Sequence, residues 1–301
     1  MSSSSLLDRI KFMTFNVWSC EHFAVYRRIR SICDIIDHHD PDEVTEYIYS
    51  IFQKASWWSK YKAMSFPRQE METHFCVMLC VEAHEVDWPP PNVLFHLKIW
   101  RTTVHLKVRS MGGGGGGGGQ MQRLGVVDVA TCRLPTPTPS DVRAMERGTK
   151  ASRLLDFLDN STLAGNVVLG GDMSWDDDID GPFPAEERSG WVDAWCGLRR
   201  GGAGGGGWTY DAVANPMLKG WRKPEMRKRP DRFLCKLRDF KLDRIEMVGV
   251  EPIQGVTHYD DKGYELPVLP SHHFGLLLTI YRSRIISKSD ELKYVSTEPV
   301  S

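Results

Sequence analysis

Val167-Val168-Leu169-Gly170-Gly171-Asp172-Met173-Ser174-Trp175-Asp176-Asp177-Asp178 is the stretch on which the fold turns. Three branched apolar residues in a row read as a buried strand. The two glycines after them allow a turn or a close backbone approach. Asp172 then leaves the strand end, with an acidic run just beyond it. A carboxylate at the mouth of a buried strand is where an α/β protein places metal and phosphate chemistry. The plainer reading is a strand closed by a polar turn. Asp176, Asp177, Asp178 and Asp180 lack the glycine and distal glutamate of an EF-hand loop, so they are expected as a solvated loop.

Upstream, residues 124–132 form a further strand pattern, followed by a Pro-rich loop. A helix over 141–159 comes next, capped by Ser140, with Val142, Met145, Leu155 and Leu158 inward. Nearer the N-terminus, residues 10–18 alternate in part, which suggests a first strand with Asn16 near its end. Apolar residues at 25, 26, 29, 32, 33 and 36 then mark one face of a helix over 22–39, with Arg27, Arg28 and Arg30 toward solvent. Asp40-Pro41-Asp42 ends it, and a second helical pattern runs from Glu43 to Ala55. Residues 75–81, 93–100 and 104–108 read as strands, and the glycines at 112–119 as a flexible insertion.

Downstream lie Trp208-Thr209-Tyr210-Asp211 and the basic residues Arg222, Lys223, Arg227, Lys228, Arg229 and Arg232. A charge run is ordinarily solvated surface, and contact with phosphate is the alternative. Strands over 231–235, 243–248 and 276–281 complete the pattern, with Pro270-Ser271-His272-His273 before the last. One domain over 10–283 is expected, between a polar leader (1–9) and a flexible tail (284–301).

The chain has 301 residues, 41% hydrophobic and 26% charged, with a formal net charge of −1. No basic field announces nucleic acid, so an anionic ligand must be met by local charge or a metal. The seven cysteines are scattered without a CxxC pair, which argues against zinc and disulfide frameworks and for a reducing compartment. No signal-peptide core and no run near the roughly 20 residues of a membrane span occurs, so a soluble intracellular protein is expected.

Strand ends thus contribute Asn16, Asp172, an aspartate of a DR[FI] segment (Asp231 or Asp243) and a terminal histidine. These residue types suit phosphoester cleavage with a hard divalent cation, which takes carboxylate and phosphate oxygens while an imidazole serves the transition state. With them the sequence resembles the endonuclease/exonuclease/phosphatase superfamily, and within it the plant tyrosyl-DNA phosphodiesterase 2 branch. The carrying segments are Thr14-Phe15-Asn16, Gly171-Asp172-Met173-Ser174, Trp208-Thr209-Tyr210-Asp211, Arg229-Pro230-Asp231-Arg232-Phe233 and Pro270-Ser271-His272-His273-Phe274-Gly275. They follow the family's order over roughly residues 10–281.

The resemblance implies an α/β fold, a four-layer α-β-β-α sandwich of two mixed sheets (DNase I-like). It implies Asn16, Asp172, Asp231 and His273 as catalytic residues and Glu43 with Asp172 as ligands of Mg²⁺ or Mn²⁺. Asp231 is preferred to Asp243 as the partner of His273. Arg133, Ser174, Trp208 and Tyr210 stand at substrate-binding positions. The implied substrate is a DNA end, single-stranded or with a 5′ overhang, carrying a protein adduct on its 5′-phosphate. That would place the protein in DNA repair and in the nucleus.

The sequence also departs from the family pattern. About five residues are absent before Glu43, which removes the strand that delivers the glutamate and leaves Glu43 equally readable as the first-turn acid of the 43–55 helix. Arg133 replaces a histidine, Ser174 an asparagine, and His272 a carboxylate. A catalytically impaired relative that binds nucleic acid or protein is the alternative, as is a superfamily phosphatase acting on a small phosphoester.

Overall fold

The computed structural model describes residues 9–18, 20, 22–41, 43–46, 54–63, 77–81, 85–87, 92–94, 97–109, 121–132, 134–135, 141–161, 165–199, 206–219 and 225–283. Arg133, Arg222, Lys223, the glycine run 112–119 and the tail from 284 lie outside them.

In chain order the strands are β1 (Arg9–Thr14), β2 (Glu43–Glu46), β3 (Tyr61–Ala63), β4 (Val77–Val81), β5 (Glu85–Asp87), β6 (Asn92–Leu94), β7 (Leu97–Arg109), β8 (Met121–Cys132) and β9 (Asn166–Asp172). The second half supplies β10 (Trp191–Asp193), β11 (Tyr210–Asp211), β12 (Arg227–Lys228), β13 (Asp231–Leu237), β14 (Phe240–Val248), β15 (Thr257–Tyr259), β16 (Glu265–Pro267) and β17 (Gly275–Arg282). The helices are α1 (Val25–His39), α2 (Asp141–Ser161), α3 (Asp177–Asp180) and α4 (Ala194–Leu198).

One sheet runs β14-β17-β1-β2-β4-β3 and the other β10-β13-β9-β8-β7-β5, with β6 paired to β7. Alternation along the strands decides what each face meets. Ile10 and Phe12 of β1 pack with Leu278 and Ile280 of β17 against Val129, Val168 and Phe233 of the second sheet. The opposite face of β1, through Met13, meets Ile29, Ile32 and Ile36 of α1. The outer face of β9, through Val167 and Leu169, meets Leu154, Leu155 and Leu158 of α2. The result is the four-layer α-β-β-α sandwich expected from the sequence.

The glycines of the opening stretch serve this packing. Gly170 pairs with Phe233 across β9 and β13. A Cβ at Gly170 would lie 2.5 Å from Cε1 of Phe233. Gly170→Ala is therefore expected to displace that ring and lower stability by about 1–3 kcal/mol. Urea unfolding should show this as a lower midpoint at unchanged slope.

Four expectations change. Residues 43–46 form strand β2, parallel to β1, so they do not begin a helix. The Glu-Val-Thr-Glu alternation, with its β-branched pair, suits a strand once a partner edge is available. Arg28 faces inward: its guanidinium is 0% exposed and donates to Phe23 O (2.5 Å), Trp18 O (2.7 Å) and Cys20 O (2.7 Å). Three accepting loop carbonyls outweigh the solvation of one cation, and burial lowers its pKa to about 10, still charged at neutral pH. Met145 is 74% exposed, because α2 turns its 151–158 segment to the core.

The fourth concerns the acidic run. Asp176 is buried, caps α3 by accepting from Asp178 N, and pairs with Lys228. Asp177 pairs with Arg232, and Asp180 with the buried Arg147. Arg229 and Arg232 also share Asp193, and Arg227 meets Asp211. Lys228 and Arg232 thus pair with the acidic run, Arg227 and Arg229 are met by Asp211 and Asp193, and Asp177 and Asp178 stay exposed as expected. This removes Lys228, Arg229 and Arg232 as loose phosphate contacts.

Candidate active site

β1 and β17 are neighbours in one sheet, β9 and β13 in the other. At one end of the sandwich their tips carry Asn16, His273, Asp172 and Asp231. Asp172, the last residue of β9, stands in register with Asp231, the first of β13. Asn16 Nδ2 donates to Asp172 Oδ2 at 2.8 Å, and His273 Nδ1 lies 2.7 Å from Asp231 Oδ2. Each bond crosses from one sheet to the other. Four residues that are remote in sequence therefore form one constellation, Asp172 and Asp231 on paired strands and Asn16 and His273 just beyond the ends of β1 and β17.

The surrounding chain holds these groups in place. Ser174 N donates to Asp172 Oδ1 at 2.7 Å from a residue in the left-handed region (φ 49°). A non-glycine residue held there marks local constraint at the tip of β9. Thr209, fully buried, donates its hydroxyl to Asp231 Oδ2 at 2.6 Å and accepts from Asp231 N at 3.2 Å. Ser271 donates to Asn16 O at 2.6 Å and accepts from Trp18 N at 3.1 Å, so one hydroxyl locks the β1 tip to the segment carrying His273. Asn215 Nδ2 in turn donates to Ser271 O at 2.8 Å. The roles of Thr209, Ser271 and Asn215 were not read from the sequence. The only local signal was that the first two lie inside the motifs.

The other sequence candidates fall as follows. Tyr210 stands edge-on to His273, with ring centroids 5.1 Å apart. Trp208 is half-buried under the guanidinium of Arg227, 4.6 Å from its ring centroid. Ser174 is buried behind Asp172. Asp243 lies on β14 and pairs with Arg9, so Asp231 is the aspartate that meets His273. Arg133 lies outside the described residues. Glu43 opens β2 opposite Phe12, four residues before Asn16. That is roughly 13 Å along the strand, so the backbone does not bring Glu43 to the Asn16 end.

The donor set at the tip suits a hard cation. Asp172 is a carboxylate, and the amide of Asn16, its nitrogen committed to Asp172, offers an oxygen. Mg²⁺ and Mn²⁺ take such oxygens and fill the rest of their shell from water and substrate phosphate. Glu186, Asp193 and Cys196 also cluster, but the Asp193 carboxylate already accepts from Arg229 and Arg232.

No protein-family model matches the sequence. No curated protein matches it. Solved structures match the fold. The crystal structure of D. rerio TDP2 complexed with single strand DNA product aligns with a TM-score of 0.63 at 17% identity, covering 90% of this chain and 98% of that one. The chain shares the fold of that structure. The human Nocturnin catalytic domain with bound sulfate anion aligns with a TM-score of 0.59 at 14% identity, over 92% of this chain and 94% of that one. An endonuclease/exonuclease/phosphatase from Bacteroides vulgatus aligns with a TM-score of 0.56 at 12% identity, over 91% and 99%. TDP2 and these neighbours establish the architecture, while the chemistry rests on the site.

Proposed function

We propose that the chain is a divalent-metal-dependent phosphodiesterase acting on DNA ends, with a 5′-phosphotyrosyl bond as its substrate. The observation that carries this reading is the pair of sheet-bridging contacts, Asn16 to Asp172 and His273 to Asp231. Its support comes from the five motifs in family order and from TDP2 neighbours, one of them complexed with single strand DNA product.

Hydrolysis forms a P–O bond to water and breaks the P–O bond to the tyrosyl oxygen. The departing phenol has an ordinary pKa near 10, so the phenolate needs only modest help to leave. A bound divalent ion, held by Asp172 and Asn16, would neutralise charge on the phosphoryl oxygens. Asp172, oriented by Asn16 and Ser174, positions the attacking water and draws its proton. His273 commits Nδ1 to Asp231, which directs Nε2 to the phosphoryl group, where it stabilises developing charge or passes a proton. Thr209 holds the Asp231 oxygen that His273 uses.

His273→Ala and Asp231→Asn are each expected to slow release of tyrosine from a 5′-phosphotyrosyl oligonucleotide by about 10²–10⁴-fold. The double variant should be no slower than the worse single one, because the two act as a unit. Multiplicative losses would show that they work separately and would overturn the pairing.

A second reading, a catalytically impaired relative, is motivated by His272 in place of a carboxylate; the β2 register leaves Glu43 opposite Phe12, but the same register brings Glu46 beside Phe15 at the Asn16 end. Calorimetric titration with Mg²⁺ or Mn²⁺ separates the two readings. A divalent site lost in Asp172→Ala supports the enzyme, and no site in the unaltered protein supports the impaired relative.

A further inference from the structure

The hairpin of β15 and β16 is a two-stranded sheet of its own, apart from both large sheets. Its root is fastened to the segment that carries His273. Ile253 N donates to Val268 O at 2.8 Å, and Val268 N donates to Val256 O at 3.1 Å. Val256, Val268 and Leu269 share one apolar cluster with Phe274, the residue after His273. On the other side His258 meets Phe23 edge-on, with ring centroids 5.1 Å apart. Five residues, Val268 to His272, separate β16 from His273. That is at most roughly 20 Å of chain, so the hairpin is an arm rising beside the proposed active site.

The tip of this arm is stiff and bare. Asp260 closes it: Oδ1 accepts from Lys262 N at 2.9 Å and from Tyr264 N at 2.8 Å, and Asp260 N donates to Tyr264 O at 3.0 Å. Tyr259 and Tyr264 nonetheless leave 69% and 65% of their surface to solvent. Glu265, in register with Tyr259, is exposed, as is Asp261 in the turn. From Thr257 to Pro267 the arm holds three carboxylates and one lysine. Among the described residues neither Asp261 nor Glu265 is ion-paired, whereas Asp176, Asp177, Asp180 and Asp193 all meet arginine or lysine. A lone exposed ring is ordinary, but two on a tip whose backbone is already bonded, beside unpaired acids, make a surface with a definite chemical preference.

Such an arm repels a phosphate backbone and attracts a basic peptide. Lysine and arginine heads rest on tyrosine faces and pair with carboxylates. We infer that the β15–β16 arm receives the peptide to which the substrate's tyrosine belongs, and that it favours lysine and arginine in the residues flanking that tyrosine. The inference rests on the phosphodiesterase reading and adds a protein side to it. The phosphate and its DNA strand belong to Asp172 and His273, the peptide to the arm. An extended peptide advances about 3.3 Å per residue, so several residues beyond the tyrosine span the distance from His273 to the arm. Contacts between exposed charges are individually weak and screened by salt, so the selectivity is several-fold rather than absolute.

Binding is measured first, without DNA or metal. A fluorescent peptide with a central tyrosine flanked by lysines, and the same peptide with glutamates in place of the lysines, are titrated against the full chain by anisotropy. The lysine peptide should bind about fivefold tighter, and its binding should weaken as salt rises from about 50 to 500 mM. Asp261→Lys/Glu265→Lys and Tyr259→Ser/Tyr264→Ser should each weaken it by about fivefold, with thermal unfolding unchanged because all four side chains are exposed. Equal binding of both peptides, or full affinity in both double variants, overturns the inference. So does an oligonucleotide whose binding Tyr259→Ser/Tyr264→Ser weakens more than that of the lysine peptide. The two peptides are then joined through the tyrosine oxygen to the 5′-phosphate of one oligonucleotide and followed with Mg²⁺, beside a tyrosine-only adduct. The lysine adduct should have the lower KM, and the difference should shrink in Tyr259→Ser/Tyr264→Ser, while the tyrosine-only adduct reacts alike in both proteins. Discrimination that is the same in both proteins counts against the arm. No hydrolysis of the tyrosine-only adduct by the unaltered protein counts against the phosphodiesterase reading, and the peptide titrations then decide on the arm alone.

Discussion

Asp172→Asn is expected to lower phosphodiester hydrolysis by about 10³-fold or more while leaving the fold intact. The carboxylate at this position accepts from Asn16 Nδ2 at one oxygen and from Ser174 N at the other. An amide has the same shape but only one acceptor atom, so one of these donors loses its partner. It also loses the negative charge that draws a proton from water and binds a hard cation. The losses fall on the transition state, so the rate constant should drop much more than substrate affinity. Thermal unfolding should shift by only a few degrees, consistent with loss of about one hydrogen bond. Undiminished turnover in this variant would remove Asp172 from the mechanism.

The largest stability effect should come from Arg147 and Asp180. Both side chains are fully buried, and the guanidinium meets the carboxylate through Nε at 3.0 Å to each oxygen and through Nη2 at 2.5 Å. Asp176 N adds a third donor at 3.0 Å to Asp180 Oδ2. This pair fastens α2 to α3 and so to the segment that leaves Asp172. Removing one partner strands a charge away from water. Asp180→Asn or Arg147→Met is therefore expected to cost about 3–5 kcal/mol in urea unfolding. The double variant Arg147→Met/Asp180→Leu should lie closer to the unaltered protein than either single one, because both charges leave together. Single variants within about 1 kcal/mol of the unaltered protein would show that water reaches the pair.

How far the sequence could be read depended on whether a feature was local. The strand at 167–172 was legible because branched apolar residues ending in glycine and aspartate carry their own explanation. Asn16, Asp172, Asp231 and His273 were legible one by one as polar residues at strand ends, and their order linked them. What joined them, the antiparallel pairing of β9 with β13 and of β1 with β17, belongs to the sheets and not to any one stretch.

Features whose partners are remote could not be read. Arg28 looked like one of three solvent-facing arginines on α1. Its burial depends on the carbonyls of the loop before the helix, which only the folded chain directs at it. The aspartates at 176–180 looked solvated because their partners, Arg147, Lys228 and Arg232, lie 33 to 55 positions away or at comparable separations. Glu43 looked like a helix start because the apolar spacing after it is helical, while the strand depends on the open edge of β1.

The proposed function is a metal-assisted phosphodiesterase that strand ends from two sheets build around Asp172. The most direct measurement is release of tyrosine from a 5′-phosphotyrosyl oligonucleotide, followed across a Mg²⁺ titration for the unaltered protein and for Asp172→Ala. Saturable, Mg²⁺-dependent release is expected from the unaltered protein, abolished by EDTA and absent in Asp172→Ala. No release by the unaltered protein at any Mg²⁺ or Mn²⁺ concentration, or equal release by both proteins, would contradict it.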